Sequence, residues 1–297
     1  MTRRGLILFA VLSVAWGVPY VFIKIAVGEL APEVVVLGRT ALGALLLLPV
    51  AVWRRELRLE RRHWLPLLAY TVAEIVFPWF FLTSSEERLP SSMTGLLLAA
   101  VPLVSVLVAL VLRRKERFTA SNWAGFGIGL VGVAALVGLD VQGSDLGAVA
   151  EVSVAVVGYA IAPVIAARWL GDAPSIGLTT WSLIITAILY VPFVAIRGTW
   201  PTTWPSAPAL WSIVVLAVVC TAIAFVVLFA LIREIGPVRA TTVTYLNPAI
   251  AIAAGAIVLG EQITLWTVAG FLLVLAGSYL VTHTSLAAPD APPPTAR

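Results

Sequence analysis

Residues 89–137 read LPSSMTGLLLAAVPLVSVLVALVLRRKERFTASNWAGFGIGLVGVAALV, and residues 235–282 read IGPVRATTVTYLNPAIAIAAGAIVLGEQITLWTVAGFLLVLAGSYLVT. The second stretch repeats the first. Pro102 falls on Pro248, Glu116 on Glu261, Thr119 on Thr264, Gly125 on Gly270 and Gly132 on Gly277. The offset is 146 at the prolines and 145 afterwards, so the first copy carries one extra residue. Both copies are strongly apolar, which makes this a duplicated membrane unit.

Composition agrees. Hydrophobic residues make up 61% of the 297, charged residues 11%, and the mean hydropathy is +1.03. A water-soluble domain cannot hide that much apolar surface, so lipid is the expected solvent. The single cysteine, Cys220, rules out an internal disulfide and a cysteine metal cluster, and its apolar surroundings read as packing. The net charge of +4 does not point to nucleic acid, because the basic residues sit between apolar spans. Arg3 and Arg4 before Leu6–Ala15 resemble a secretory signal. Retention is expected instead, because the apolar run continues past the Ser-Val-Ala site.

A span needs about 20 mostly apolar residues. Ten are predicted: Gly5–Val27, Val34–Trp53, Trp64–Thr83, Ser91–Leu112, Asn122–Leu139, Leu146–Leu170, Ser175–Ile196, Ala207–Ile232, Val238–Gly260 and Leu265–His283. The loops on one side hold fifteen Lys and Arg residues, and those on the other hold only Arg88 and Arg197. This positive-inside bias places both termini in the cytoplasm. Five spans per copy is an odd number, so the second copy enters from the opposite side. The expected architecture is all-α: ten transmembrane helices as two inverted five-helix repeats, at residues 1–140 and 141–285, with a proline-rich, disordered cytoplasmic tail at 286–297. Trp200 and Trp204, in the longest outer loop, suit an interface belt.

Glu74 is the most informative single residue. About ten residues into its span, it lies roughly 15 Å deep. A carboxylate at the midplane costs at least about 2.5–3.5 kcal/mol and needs a cavity or a partner. It reads as a proton-coupling site or a counter-charge to a substrate ammonium; the plain alternative is a structural hydrogen bond to a neighbouring helix. Tyr70, Glu74, Phe77 and Phe81 share a helical face, and Pro78 frees the backbone carbonyl of Glu74. Trp16, Tyr20 and Lys24 form a stripe on the first span. Lys24 and Arg39 lie near the outer ends of their spans, either snorkelling or holding a substrate carboxylate or Glu74. Glu151 reads as an interfacial residue near the end of its span. Glu116 and Glu261 occupy matched span ends, where charge pairing or gating is expected.

Paired prolines mark helix breaks. Pro19 corresponds to Pro163 and Pro102 to Pro248, and they release the carbonyls of Ala15, Tyr159, Leu98 and Thr244. Freed carbonyls at membrane depth are tolerated only against protein or a water-filled cavity. Matching breaks in two halves therefore point to a central binding region, while a single one reads equally as a packing kink. Thr241, Thr242, Thr244, Tyr245 and Asn247 before Pro248 either bind a polar substrate or hold helices together. Gly125, Gly129 and Gly132 predict close helix contact, within one chain or across a homodimer.

On Trp16-Gly17, Lys24, Arg39, Pro102, Glu116 and Gly125, and on their echoes Pro248, Leu259-Gly260-Glu261, Gly270 and Gly277, the chain resembles the EamA-like transporters of the drug/metabolite transporter superfamily over essentially its whole length. Lys115-Glu116 departs from the Gly-Glu pair that ends the corresponding spans in that family. The resemblance implies export or exchange of small metabolites such as amino acids without ATP hydrolysis. The sequence reading is thus a secondary-active plasma-membrane carrier that moves a small polar or amphipathic metabolite, an amino acid or drug-like compound with export favoured, by alternating access, with surrounding lipid, no nucleic-acid partner, no metal and no cofactor, and with a proton as candidate coupling ion. A channel or uniporter without ion coupling is the alternative. A membrane-embedded transferase is disfavoured, because His63 and His283 lie apart and no phosphate-binding or metal motif is present.

Overall fold

A computed structural model of the chain describes residues 2–111, 120–136 and 146–284. Glu116 with its basic neighbours, and the tail from 285 onward, lie outside the described residues. Every regular element described is helical. In an apolar solvent a helix satisfies its own backbone polar groups, whereas an open strand cannot.

The first rod is α1 (Arg3–Gly17) and α2 (Pro19–Val27), followed by α3 (Pro32–Trp53). The next rod joins α4 (Arg61–Thr71), a π-helical turn (Val72–Val76) and α5 (Phe77–Ser85). Another joins α6 (Ser91–Leu97), a 3-10 turn (Leu98–Ala100) and α7 (Val101–Val111), followed by α8 (Ala120–Ala135). The second half comprises α9 (Leu146–Trp169), α10 (Ser175–Arg197), α11 (Ala207–Ala217), a second π turn (Val218–Ile223), α12 (Ala224–Ile235), α13 (Pro237–Ala240), α14 (Val243–Leu259) and α15 (Leu265–Thr284). Seven rods are long and apolar enough to cross a membrane, and Ala120–Ala135, Val243–Leu259 and Leu265–Val281 are shorter apolar helices.

Contacts between helices repeat when the halves are exchanged. α3 packs on α10, α6 on α14 and α8 on α15. α9 packs along α4 and α5, as α1 does along α12 and α2 along α11. The two π turns lie 146 residues apart, so Glu74 matches Cys220 and Pro78 matches Ala224. A proline is therefore not what makes the π turn. Side-chain donors serve the loosened carbonyls instead: Tyr190 Oη donates to Val76 O at 2.8 Å, and Thr221 Oγ1 donates to Leu216 O at 2.8 Å.

The expected proline breaks are realised unequally. Pro19 opens α2 after a break at Val18, and Pro102 follows the 3-10 turn. Pro163 and Pro248 instead sit inside the unbroken α9 and α14. One missing i−4 hydrogen bond bends a well-packed helix without interrupting it. Regular α-helix is thus interrupted beside Pro19 and Pro102 and continuous through Pro163 and Pro248.

The glycine stripe packs within this chain. A Cβ on Gly125 would meet the Gly277 carbonyl oxygen at 2.9 Å, and one on Gly132 would meet Val274 N at 2.8 Å. Asn122 Nδ2 donates to Val281 O at 2.8 Å. As the numbering rises along α8 it falls along α15, so the two helices run antiparallel. A Cβ on Gly277 would meet backbone of Gly129 at 2.5–2.6 Å, whereas one on Gly127 meets nothing within 4 Å. Gly277→Val is therefore expected to lower stability by about 1–3 kcal/mol, while Gly127→Val leaves it near the parent. Thermal unfolding of both variants in detergent checks this.

Candidate functional site

Arg39 is the centre of the site. It lies on α3, 9% exposed, with its guanidinium carbon 3.6 Å from the centroid of the Trp79 ring. Nε donates to Thr221 Oγ1 at 3.0 Å, and a terminal nitrogen donates to Cys220 O at 3.4 Å. The π turn of the second half thus supplies a hydroxyl and a carbonyl to a cation of the first. Tyr20 and Tyr159 lie within its electrostatic reach. Among the described residues no carboxylate lies within 4.0 Å of Arg39.

Glu74 lies on the first π turn, half-buried near mid-span, within electrostatic reach of Tyr70 and Tyr159. It pairs with neither Lys24 nor Arg39. Close approach of α9 to this turn depends on Gly158, where a Cβ would strike the Ala73 carbonyl oxygen and sit 2.8 Å from Pro78. Tyr20, Arg39, Tyr70, Glu74 and Tyr159 therefore form one polar cluster, with Trp79, Cys220 and Thr221 around it. Trp79 and Thr221 were not singled out from the sequence. A Thr one residue from Cys220 in an apolar run was the only trace.

The other sequence candidates lie elsewhere. Phe77 is 52% exposed and turned away from the cluster, against Phe81 at 6.2 Å between ring centroids. The π turn rotates the face that a regular helix would have kept continuous, so Phe77 leaves the group predicted with Glu74. Trp16 meets Phe225 edge-on at 6.1 Å. Thr244 is exposed and donates to Thr241 O at 2.8 Å. Tyr245 and Asn247 are half-buried on the same helix, and Asn247 Oδ1 is buried without a hydrogen-bond partner. Thr244, Tyr245 and Asn247 lie in the first turns of α14, toward the basic end of the bundle. There a recess of about 360 Å³ is lined by Arg4, Arg54, Val226, Ala230, Arg233 and Glu234. At the same end Asp172 meets Arg62 and His63, and its own backbone N–H, then His63, holds its carboxyl below the usual range.

The opposite end is tied by polar contacts between elements. Lys24 Nζ donates to Glu86 O at 2.5 Å and to Leu89 O at 3.0 Å. Glu261 accepts from Ser91 N at 2.7 Å and from Ser92 N at 3.0 Å, so a carboxylate from the end of α14 caps α6. Arg88 pairs with Glu151 at 2.5 Å, and Arg197 pairs with the buried Glu33 at 3.0 Å. Glu151, read from sequence as an interfacial residue, is thus ion-paired. Glu29 receives the Ser206 hydroxyl and its N–H, which hold its carboxyl below the usual range. Such depressed carboxyls stabilise the fold above the ordinary carboxylate range, and that contribution is lost as pH falls through it.

Buried polar residues grouped inside apolar, membrane-length helices, with contacts tying one end, define a multi-pass helical membrane protein with a polar interior. The chain matches the profile of the EamA-like transporter family twice, over residues 3–138 and 148–283, and it belongs to that family. It is 24% identical to the uncharacterized transporter YoaV of Bacillus subtilis, covering 94% of this chain and 97% of that one. It is 29% identical to the uncharacterized transporter YvbV of the same organism, covering 96% and 93%. It is 27% identical to the uncharacterized inner membrane transporter YedA of Escherichia coli, covering 95% and 94%. A solved crystal structure shares the fold with a TM-score of 0.67 at 18% identity, covering 95% of this chain and 98% of that one. The protein is a multi-pass membrane protein of a transporter family.

The α6 cap is testable. Glu261→Ala is expected to cost about 1–2 kcal/mol, and Glu261→Gln, which keeps one acceptor, less than half of that. Thermal melts of the two variants side by side give the comparison.

Proposed function

We propose that the chain is a secondary carrier that moves a small metabolite bearing both a carboxylate and an amine across the plasma membrane by alternating access, with export favoured. The seven long and three shorter apolar helices are read as ten spans, and residues 1–140 and 141–285 as two inverted repeats. The antiparallel run of α8 and α15 supports inversion, since these helices are counterparts in the two copies. Both termini are placed in the cytoplasm by the basic loops.

The observation that carries the reading is Arg39. Guanidinium is permanently charged and built for bidentate carboxylate binding. A buried Arg with a ring, a hydroxyl and a carbonyl around it, and no carboxylate within 4.0 Å among the described residues, supports a substrate anion as its counter-charge. Glu74 supplies the opposite charge for an ammonium, or takes a proton as coupling ion.

Flux in proteoliposomes tests this with a panel of amino acids and their decarboxylated amines, with and without a pH gradient. Arg39→Gln is expected to lower flux of carboxylate-bearing substrates at least ~10-fold, the loss of one charged hydrogen-bond set, while sparing the amines. Glu74→Gln is expected to remove gradient dependence. Unchanged Glu74→Gln flux at every pH would overturn the coupling role, and a parent protein indifferent to the gradient would be a facilitator.

A further inference from the structure

Glu86 stands at the tied end of the bundle and takes no part in the substrate reading. It is 0% exposed, and neither carboxylate oxygen has a hydrogen-bond partner. Its backbone carbonyl accepts from Lys24 Nζ, as does that of Leu89. Its electrostatic neighbours are Lys24 and Tyr20 on α2 and Glu261 beyond α14. On its own segment, Glu87 faces Arg88, Glu151, Glu33 and Arg197. Of these, α9's Glu151 is engaged by Arg88, and α3's Glu33 by Arg197. Beside Glu261, Ser91 Oγ is also buried without a partner.

We infer that Glu86 is a proton-binding site that latches this end of the bundle shut. This deepens the alternating-access reading and rests on it. A carboxylate stripped of water and within electrostatic reach of a second carboxylate favours its neutral form in this packing, against the pull of Lys24 toward the anion. Release breaks the Oε–H bond and sends the proton to external water. The resulting anion draws the Lys24 ammonium off the two carbonyls and is repelled by Glu261, the residue that caps α6. Those contacts join α2, the turn between α5 and α6, and the end of α14, so losing them unties three elements together. The position matching Glu86 at the 146 offset is Ile232, so the two ends of the repeat are unequal: one gate titrates at this position, and its counterpart has nothing there to titrate.

The test uses the full chain in nanodiscs, with Leu89→Cys in a Cys220→Ala background, labelled by a hydrophilic maleimide. Rates are normalised to an exposed control, Thr202→Cys, because thiol reactivity itself rises with pH. The normalised rate is expected to rise at least ~10-fold from about pH 5 to about pH 9. With Glu86→Gln added, it stays at the low closed value throughout. Glu261→Gln is expected to move the midpoint down by ~1 pH unit, whereas Lys24→Gln, which removes the tie itself, is expected to label fast at every pH. The Glu261→Gln shift carries the test should Glu86→Gln fail to fold, since loss of a merely structural contact changes the rate without moving the midpoint. A flat parent profile, a Glu86→Gln profile like the parent's, a Glu261→Gln midpoint that stays put or moves up, or a Lys24→Gln profile like the parent's would each overturn the inference. No substrate enters this measurement. Labelling with the expected pH profile but no flux therefore counts against the carrier, and flux without the profile counts against the latch.

Discussion

A permanent charge in an apolar bundle is the constraint around which the middle of this protein is organised. Arg39 cannot shed its proton, so the fold must solvate it with protein groups. It does so with the Trp79 face, the Thr221 hydroxyl and the Cys220 carbonyl, drawn from both halves of the chain. The π turn at Val218–Ile223 is what presents that hydroxyl and carbonyl together. The arrangement explains why two halves that look alike in sequence need each other: neither supplies a complete environment for this side chain.

The same frame carries different chemistry in its two copies. Glu74 is matched by Cys220 and Glu86 by Ile232, so both acidic groups fall on the α4–α5 segment of the first half. The proline distortions are unequal as well: Pro19 and Pro102 accompany interrupted helices, whereas Pro163 and Pro248 lie within continuous ones. The two copies share a scaffold and differ at a few buried positions.

The apolar helices and their approximate limits were readable along the chain, because lipid selects uninterrupted apolar runs and glycine or proline punctuates them. The candidate cluster was readable in part. Glu74 was named for its depth, Arg39 as a cation near a span end, Tyr20 and Tyr70 from helical stripes and Tyr159 beside a proline, and the fold gathers them. Lys24 stood out for the same reason as Arg39, yet its ammonium serves the carbonyls of Glu86 and Leu89. Phe77 fell on the right helical face only for a regular helix, and the π turn rotated it away. Glu86 was missed because a Glu-Glu-Arg run after an apolar span reads as solvated loop; only packing of α2 and the end of α14 over it makes it buried.

The sequence by itself determined that this is a duplicated, lipid-solvated helical protein, because hydropathy, periodicity and loop charge act locally and leave their pattern in order along the chain. Only the tertiary structure decided which charged groups meet. Partners such as Arg39 with Thr221, or Glu261 with Ser91, stand 170 or more residues apart. Whether a buried charge is paired, capped or left alone depends on distances of a few ångströms between helices, and no spacing along one helix encodes those.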